Sequence, residues 1–420
     1  MSNNIKKTIA VIFLYVLCLG AWAADSLSIG GHTKYRALYT QYPNTSLYQQ
    51  FIGDDATDHS ADIRVKLNWQ PSAWALQADY QLIHLQSDAL ETSPPPALTM
   101  FPGSAGQDDD HRLFDLTHRI HAEGDSILSH RFDRLYLGYT SEKIVARIDR
   151  QAVSWGNGLI YAPMDFFNPF DPAAVDKEYK TGDDMLYGQY LLANGDDLQA
   201  VSVARRNDQG KTSSSVASTA LKYHGVIGNS EYDLLIAQHY NDSIAGFGGN
   251  TALGGAVWHG DITVTKTDND TVTSLVTGLS HSWVWGTTNY SGTIEYFYNG
   301  FGVDQRRIEA SALLQNPDLL NRIQRGELFT LGKEYIAASA SIELTPLWLM
   351  TPLLFHNLSD RSSLLQILSQ HDLAQNLQLL LAIDIPMGSS GTEYGGMPSG
   401  TDNLELSIDK RVFMQLGWYF

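Results

Sequence analysis

Arginine is the side chain whose spacing first suggests chemistry in this sequence. Arg131 and Arg134 stand in one short segment, Arg147 and Arg150 in the next, and Arg205 with Arg206 further on. In 131–140, Leu135, Leu137 and Tyr139 share one face of an extended strand, which leaves Arg134 on the other. In 143–151, Ile144, Ala146 and Ile148 share a face, so Arg147, Asp149 and Gln151 oppose them and Arg150 falls at the strand end. Facing rows of guanidinium and carboxylate make a transverse field, and charged rings sort ions by sign. The same residues also suit an arginine–carboxylate ladder that only satisfies an internal wall. That second reading is favoured for Arg131, and both stay open for Arg134 and Arg147.

A second constellation follows directly. Residues 149–172 read DRQAVSWGNGLIYAPMDFFNPFDP, with Trp155, Tyr161, Phe166, Phe167 and Phe170 beside Asp165, Asn168 and Asp171. A segment this aromatic must pack rather than stand in water, and its prolines stiffen it. It is expected either to narrow a lumen or to close the space between strand ends. Acidic pairs recur at Asp54-Asp55, Asp108 to Asp110, Asp183-Asp184 and Asp196-Asp197. They lack the alternating spacing of a calcium loop and read as solvated loops. No HExxH or GxSxG motif is present, and the one cysteine is Cys18. Catalytic residues, a metal site and a cofactor are therefore not expected.

These side chains must be positioned by strands. Segments of about ten residues alternate apolar and polar positions and are separated by turn residues, the pattern of a membrane barrel. Strands are expected at 27–40, 62–70, 74–86, 131–140, 143–151, 184–192, 197–206, 216–227, 231–240, 249–257, 259–267, 274–285, 288–299, 330–345, 348–358, 362–371, 375–385 and 404–420. That makes eighteen, with sixteen as the other even number. In the last strand Leu404, Leu406, Ile408, Val412, Met414, Leu416, Trp418 and Phe420 share a face. Glu405, Asp409 and Arg411 are then assigned to a lumen, with Lys410 snorkelling from the apolar face. Short turns such as Ser141-Glu142, Asn194-Gly195 and Gly228-Asn229 read as periplasmic. The long connections 41–61, 87–130, 152–183, 300–329 and 386–403 read as extracellular. Asn316 or Asp318 is expected to cap a short helix in 316–329 that folds over the pore.

The N-terminus sets the compartment. Lys6 and Lys7, an apolar run from Thr8 to Gly20, and Ala21-Trp22-Ala23 have the layout of a secretory signal peptide, giving 1–23 as export segment and 24–420 as barrel. Val16 and Leu17 before Cys18 argue against a lipoprotein. The chain carries 28 basic and 46 acidic residues; without the two lysines of the export segment this is 26 against 46, a charge of about −20. Such a surface excludes nucleic acid as a partner.

The run 149–172 resembles a segment of porin-like outer-membrane barrels of the alginate-export type. Arg150, Gln151, Trp155, Gly156, Pro163, Asp165, Asn168 and Pro169 carry the match, and IEYFYNGFG at 294–302, SIELTPLWLM at 341–350 and the closing LGWYF add to it. The resemblance implies a passive Gram-negative outer-membrane barrel. It does not bring alginate as substrate, because the chain is strongly acidic. Two functions are expected from different classes: a channel for small polar or ionic solutes, and a plugged accessory barrel of an envelope export system handling lipid or polymer. Expected partners are outer-membrane lipid and lipopolysaccharide, and the barrel-assembly machinery through terminal Phe420.

Overall fold

An extended chain whose successive side chains face opposite ways leaves its edge N–H and C=O groups unpaired unless the sheet closes on itself. This chain closes. In the computed structural model, which describes residues 26–90, 108–400 and 404–420, the strands run in sequence as a single antiparallel meander. The export segment 1–23 and the proline run at 94–96 lie outside the described residues.

The first nine strands are β1 (Leu27–Gln41), β2 (Asp55–Trp69), β3 (Trp74–Ser87), β4 (Thr117–Glu123), β5 (Ser126–Thr140), β6 (Ile144–Gln151), β7 (Asp183–Leu191), β8 (Asp197–Val203) and β9 (Ser218–Ile227). They continue as β10 (Ser230–His239), β11 (Asp242–Leu253), β12 (Ala256–Lys266), β13 (Thr271–Trp285), β14 (Thr288–Tyr298), β15 (Glu334–Thr345), β16 (Trp348–Asn357), β17 (Ser363–Ala374) and β18 (Leu377–Met387). A two-residue pair follows, β19 (Met397–Pro398) with β20 (Glu405–Leu406), and β21 (Lys410–Tyr419) ends the sheet. β21 pairs with β1 from Gln41↔Lys410 to His32↔Tyr419. Phe420 completes the seam, exchanging two backbone hydrogen bonds with Gly31 at 2.9 and 3.1 Å. Eighteen strands form the wall. β4 is additional: it lies along the upper part of β5, on the edge that β6 occupies lower down.

Eighteen was the expected number, and each wall strand overlaps an expected segment, although 249–257 straddles the Gly254-Gly255 turn and takes in only the end of β11. Three differences have physical causes. β21 begins at Lys410, not at 404. Glu405 and Leu406 belong instead to the small pair with Met397–Pro398, and Leu406 packs against the cap of the barrel rather than lying on its outer face. The register that assigned Glu405 and Asp409 to the lumen therefore does not run that far. Second, β4 and two short helices, α1 (Leu47–Ile52) and α2 (Ala310–Leu314), were not expected. The expected helix is present as α3 (Pro317–Gln324), and Asn316 is its cap, its side chain accepting from Leu319 N at 3.1 Å. Third, a β-bulge opposite Asp79–Tyr80 inserts one residue into β5. Arg131, Asp133 and Arg134 all become buried or nearly so as a result, while Phe132 faces outward beside Tyr80.

All long connections lie at one end of the barrel, together with the short turns 240–241, 267–270 and 358–362; the other end has only turns of two to five residues, beside Leu27 and Phe420. The outer face is apolar: Ile63, Leu137, Leu186, Ile236, Phe247 and Ile294 are among its exposed side chains. Trp69, Trp74, Trp258, Trp283, Trp285, Trp348 and Trp418 all stand on this face near the short-turn end. Such a belt is stable only where hydrocarbon meets a headgroup layer.

Candidate functional site

The 31 residues between β6 and β7, 152–182, do not rise away from the barrel. They fold into its lumen and touch both walls.

The first leg, 154–161, meets carboxylates. Asp233 on β10, Asp261 on β12 and Glu295 on β14 point inward and are almost fully buried. The loop answers with N–H groups. Asn157 N and Gly158 N donate to Asp261 Oδ2 at 2.7 and 3.1 Å, and Asn157 Nδ2 donates to Asp261 Oδ1 at 2.8 Å and Asp233 Oδ2 at 3.2 Å. Leu159, Ile160 and Tyr161 N donate to the two oxygens of Glu295 at 2.6, 3.1 and 2.9 Å. His259 Nε2 lies 2.8 Å from the same carboxylate. Successive backbone amides aimed at one anion make a nest, the peptide counterpart of a cationic partner. The approach needs a bare wall at Gly248 on β11, where a Cβ would stand 2.0 Å from Asp261 Oδ1 and 2.8 Å from Asn157 Nδ2.

Aromatic packing fixes this leg. Trp155 donates from Nε1 to Gln199 of β8 at 2.8 Å, and joins Met164, Phe166 and Phe167 against the inward residues Val201, Val203, Ala220 and Leu235. Tyr161 stacks on Phe297 at 4.6 Å and packs edge-on to Phe355.

The second leg, 171–180, meets cations. Lys34 and Arg36 on β1, with Arg64 and Lys66 on β2, point inward from the opposite side of the eighteen-strand circuit. Asp176 bonds Lys34 at 2.8 Å and Arg36 at 3.0 Å, and Glu178 bonds Lys34 at 2.6 Å. The Tyr179 ring lies under Arg64 at 4.2 Å and Lys66 at 4.3 Å, a double cation–π contact, and its hydroxyl accepts from Lys66. Burial alone would raise Asp176, but Lys34 and Arg36 pull it down to about 2. The two legs are stapled where they return: Lys180 Nζ donates to Val153 O at 2.6 Å and to Asp165 at 2.5 and 2.7 Å. Burial pushes Asp165 up to about 6 against the pull of Lys180.

The sequence-derived residues separate into groups. Trp155 and Asp165 lie on the internal loop as described. Asn168 takes a left-handed φ of 52°, and Asp171 turns the chain by accepting from Ala173 N at 2.8 Å. Arg134 faces inward but is pinned by Asp133 and by the carbonyl of Lys180. Arg150 is 1% exposed, locked by Asp184 at 2.7 Å, Asp109 at 2.9 Å and the Phe114 carbonyl at 2.8 Å. It ties residues 109–114 to the wall. Arg147 differs: its contacts are the rings of Tyr136 and Tyr187, at 5.4 and 5.6 Å, and no carboxylate pairs with it among the described residues. Arg411 pairs Asp384 at 3.0 Å. Glu405 bonds through its backbone N–H to Thr45 O, and Asp409 is exposed at the rim, bonding Gln41 O the same way. Neither is near the internal loop.

Of the acids expected to be solvated, Asp54, Asp55, Asp108 and Asp110 are exposed, whereas Asp109, Asp183, Asp184, Asp196 and Asp197 are buried. Asp109, Asp183 and Asp184 hold Arg150, Arg112 and Arg205. Sequence reasoning also missed Asp233, Asp261 and Glu295, single acids in strands whose importance depends on the loop that reaches them.

Above the first leg, loop 299–333 carries α3 across the lumen. Arg322 of α3 bonds Asp242 at 2.5 Å and lies 3.8 Å from the Phe301 ring centre. Between α3 and the internal loop is a cavity of about 310 Å³ lined by Trp155, Tyr161, Phe166, Phe297, Phe301 and Lys177, among others.

The fold is similar to that of solved porins. Acinetobacter baumannii OccAB4 superposes with a TM-score of 0.52 at 7% identity over 94% of this chain and 98% of the other. OccAB1 of the same organism gives 0.52 at 9% identity, over 95% and 99%. A BenF-like porin from Pseudomonas fluorescens Pf-5 gives 0.51 at 9% identity, over 95% and 99%. No family model and no curated protein matches the chain. At such identities the likeness is one of fold: a porin-like barrel. It stops short of the alginate-export branch.

Proposed function

We propose that this chain is a passive outer-membrane channel for small polar or ionic solutes, with 152–182 as its selectivity element. The observation that carries the reading is that one loop crosses the lumen and is anchored to an acidic wall by amides and to a basic wall by carboxylates. A peptide fixed on both sides defines a passage with charge of opposite sign across it, the arrangement by which pores sort solutes. The signal-like segment 1–23, the Trp belt and the porin-like fold support an outer-membrane location, with long loops extracellular and the Phe420 seam offered to the assembly machinery. The 149–172 motif supports kinship with alginate-export barrels without supporting their substrate.

Planar-bilayer recording tests the reading. Steady ohmic single-channel steps are expected. A correctly folded barrel that conducts nothing would overturn it in favour of a plugged accessory barrel, a reading favoured by the deep burial of Trp155, Tyr161, Met164 and Phe167 across the lumen.

A further inference from the structure

One part of the outer face breaks the apolar belt. At the long-loop end of β3, β5 and β4, four imidazoles come together on the outward side. The register sets His130 of β5 directly opposite His118 of β4, with ring centres 5.6 Å apart. In the next outward row Leu128 of β5 stands between His84 of β3 and His121 of β4. Adjacent strands are about 4.8 Å apart and alternate residues about 7 Å. The four rings thus occupy a patch on the order of 10 Å across. The bulge at Arg119–His121 produces the patch: with an extra residue, His118 and His121, three apart, both face outward.

Height identifies what covers it. His84 lies ten positions along β3 from Trp74 of the short-turn belt. A tilted strand climbs about 25 Å over that length, the thickness of the apolar band of such barrels. Tyr80 and Phe132 just below it are still apolar neighbours. The patch therefore stands at the level of the outer headgroups. Imidazoles gain positive charge as the medium acidifies. The nearby acids are Asp88, which accepts from Thr57 N at 2.8 Å, Asp125, which accepts from Gln86 at 2.7 Å, Asp55, which accepts from the Tyr39 hydroxyl at 3.2 Å, and Glu123, exposed at the strand end. His59, one row higher on β2, bonds Tyr35. Among the described residues no group of His, Cys, Asp or Glu has the geometry to hold a metal ion.

We propose that His84, His118, His121 and His130 form an outward-facing site for the phosphate groups of an outer-leaflet lipid headgroup. The proposal rests on the outer-membrane reading above. It adds a specific lipid contact to it, by charge complementarity at the one height where lipid phosphates lie.

The test is native mass spectrometry of the full barrel in detergent with bisphosphorylated lipid A, against the same lipid without phosphates. The phosphorylated lipid is expected to stay bound, more at mildly acidic than at alkaline pH. The variant His84→Asn/His118→Asn/His121→Asn/His130→Asn should retain about tenfold less, as befits several surface charges acting on one phosphate group. Arg119→Gln, on the opposite face beside Ser129, should retain as much as the parent. Equal retention by the fourfold variant, or of the lipid lacking phosphates, would overturn the proposal. So would displacement by inorganic phosphate at the lipid's own concentration. Should the fourfold variant fail to fold, His118→Asn and His130→Asn singly must each lower retention. Absence of the barrel from the outer-membrane fraction would count against the location, and is read independently of binding.

Discussion

The two legs of the internal loop solve opposite problems with different groups. The first faces Asp233, Asp261 and Glu295 and meets them with five backbone N–H groups and one asparagine side chain. The second faces Lys34, Arg36, Arg64 and Lys66 and meets them with Asp176, Glu178 and the ring of Tyr179. Peptide amides are free donors wherever a chain leaves regular structure, so the loop meets these anions without a basic residue of its own; the wall adds Lys222 and His224 to Asp233 at 3.2 and 3.0 Å and His259 to Glu295 at 2.8 Å. Nothing in the backbone carries a negative charge, so buried cations require acidic side chains. Only the second solution leaves its charges in the sequence.

The largest test is Glu295→Ala. Three amides of the first leg lose their acceptor in a buried site, and a loss of about 3–5 kcal/mol is expected, read as a lower denaturant midpoint and noisier conductance. An unchanged midpoint would mean that aromatic packing alone holds the leg. Next is Gly158→Ala, whose Cβ would stand 1.8 Å from the Tyr161 carbonyl. It should cost about 1–3 kcal/mol by breaking the amide nest, with the second leg untouched.

Asp176→Asn with Glu178→Gln should cost about 1–3 kcal/mol, because the fully buried Lys34 loses both its carboxylates. It should also move the reversal potential toward anions, since Lys34 and Arg36 lose their partners. The pH dependence follows from Asp176. Its carboxyl is held at about 2 in the fold, below the roughly 3.9 of an unfolded aspartate. Its contribution is complete above about pH 4 and is lost as the pH falls toward 2. Conductance noise should therefore rise over that window in the parent and show no such dependence in the double variant. The smallest effect belongs to Arg147→Ala, with no change in midpoint and a slight shift of reversal potential toward cations. No shift would remove Arg147 from the selectivity residues. Arg134→Ala should instead lower the midpoint, because Arg134 holds the Lys180 carbonyl.

The wall was legible residue by residue. Val412, Met414, Leu416 and Trp418 alternate with Arg411, Gln415 and Tyr419, and the structure keeps that alternation. It was extended too far, to Glu405, because Leu404, Leu406 and Ile408 continue the period, while Leu406 packs into a cap. Period two reports one apolar face, and a cap offers apolar contacts as well as lipid does. The Asp133–Arg134 bulge was invisible for the same kind of reason: an inserted residue shifts the phase, and charges on both sides of the shift read as one disordered pattern. Asn316 as a helix cap was legible because capping is local.

Sequence alone determined the barrel, a wall of eighteen or sixteen strands, the terminal aromatic strand and the aromatic loop that had to pack. Those features depend on alternation and turn residues a few positions apart. Tertiary structure decided which charges matter. Arg150, Arg134 and Arg147 look alike in the chain, yet the first two are pinned by partners tens of residues away and the third faces only two tyrosine rings. Glu295 and Asp261 matter through amides more than a hundred positions earlier. A charge acquires its role from its partner, and in a closed meander the loops that fold inward choose partners across the lumen, where sequence distance carries no information.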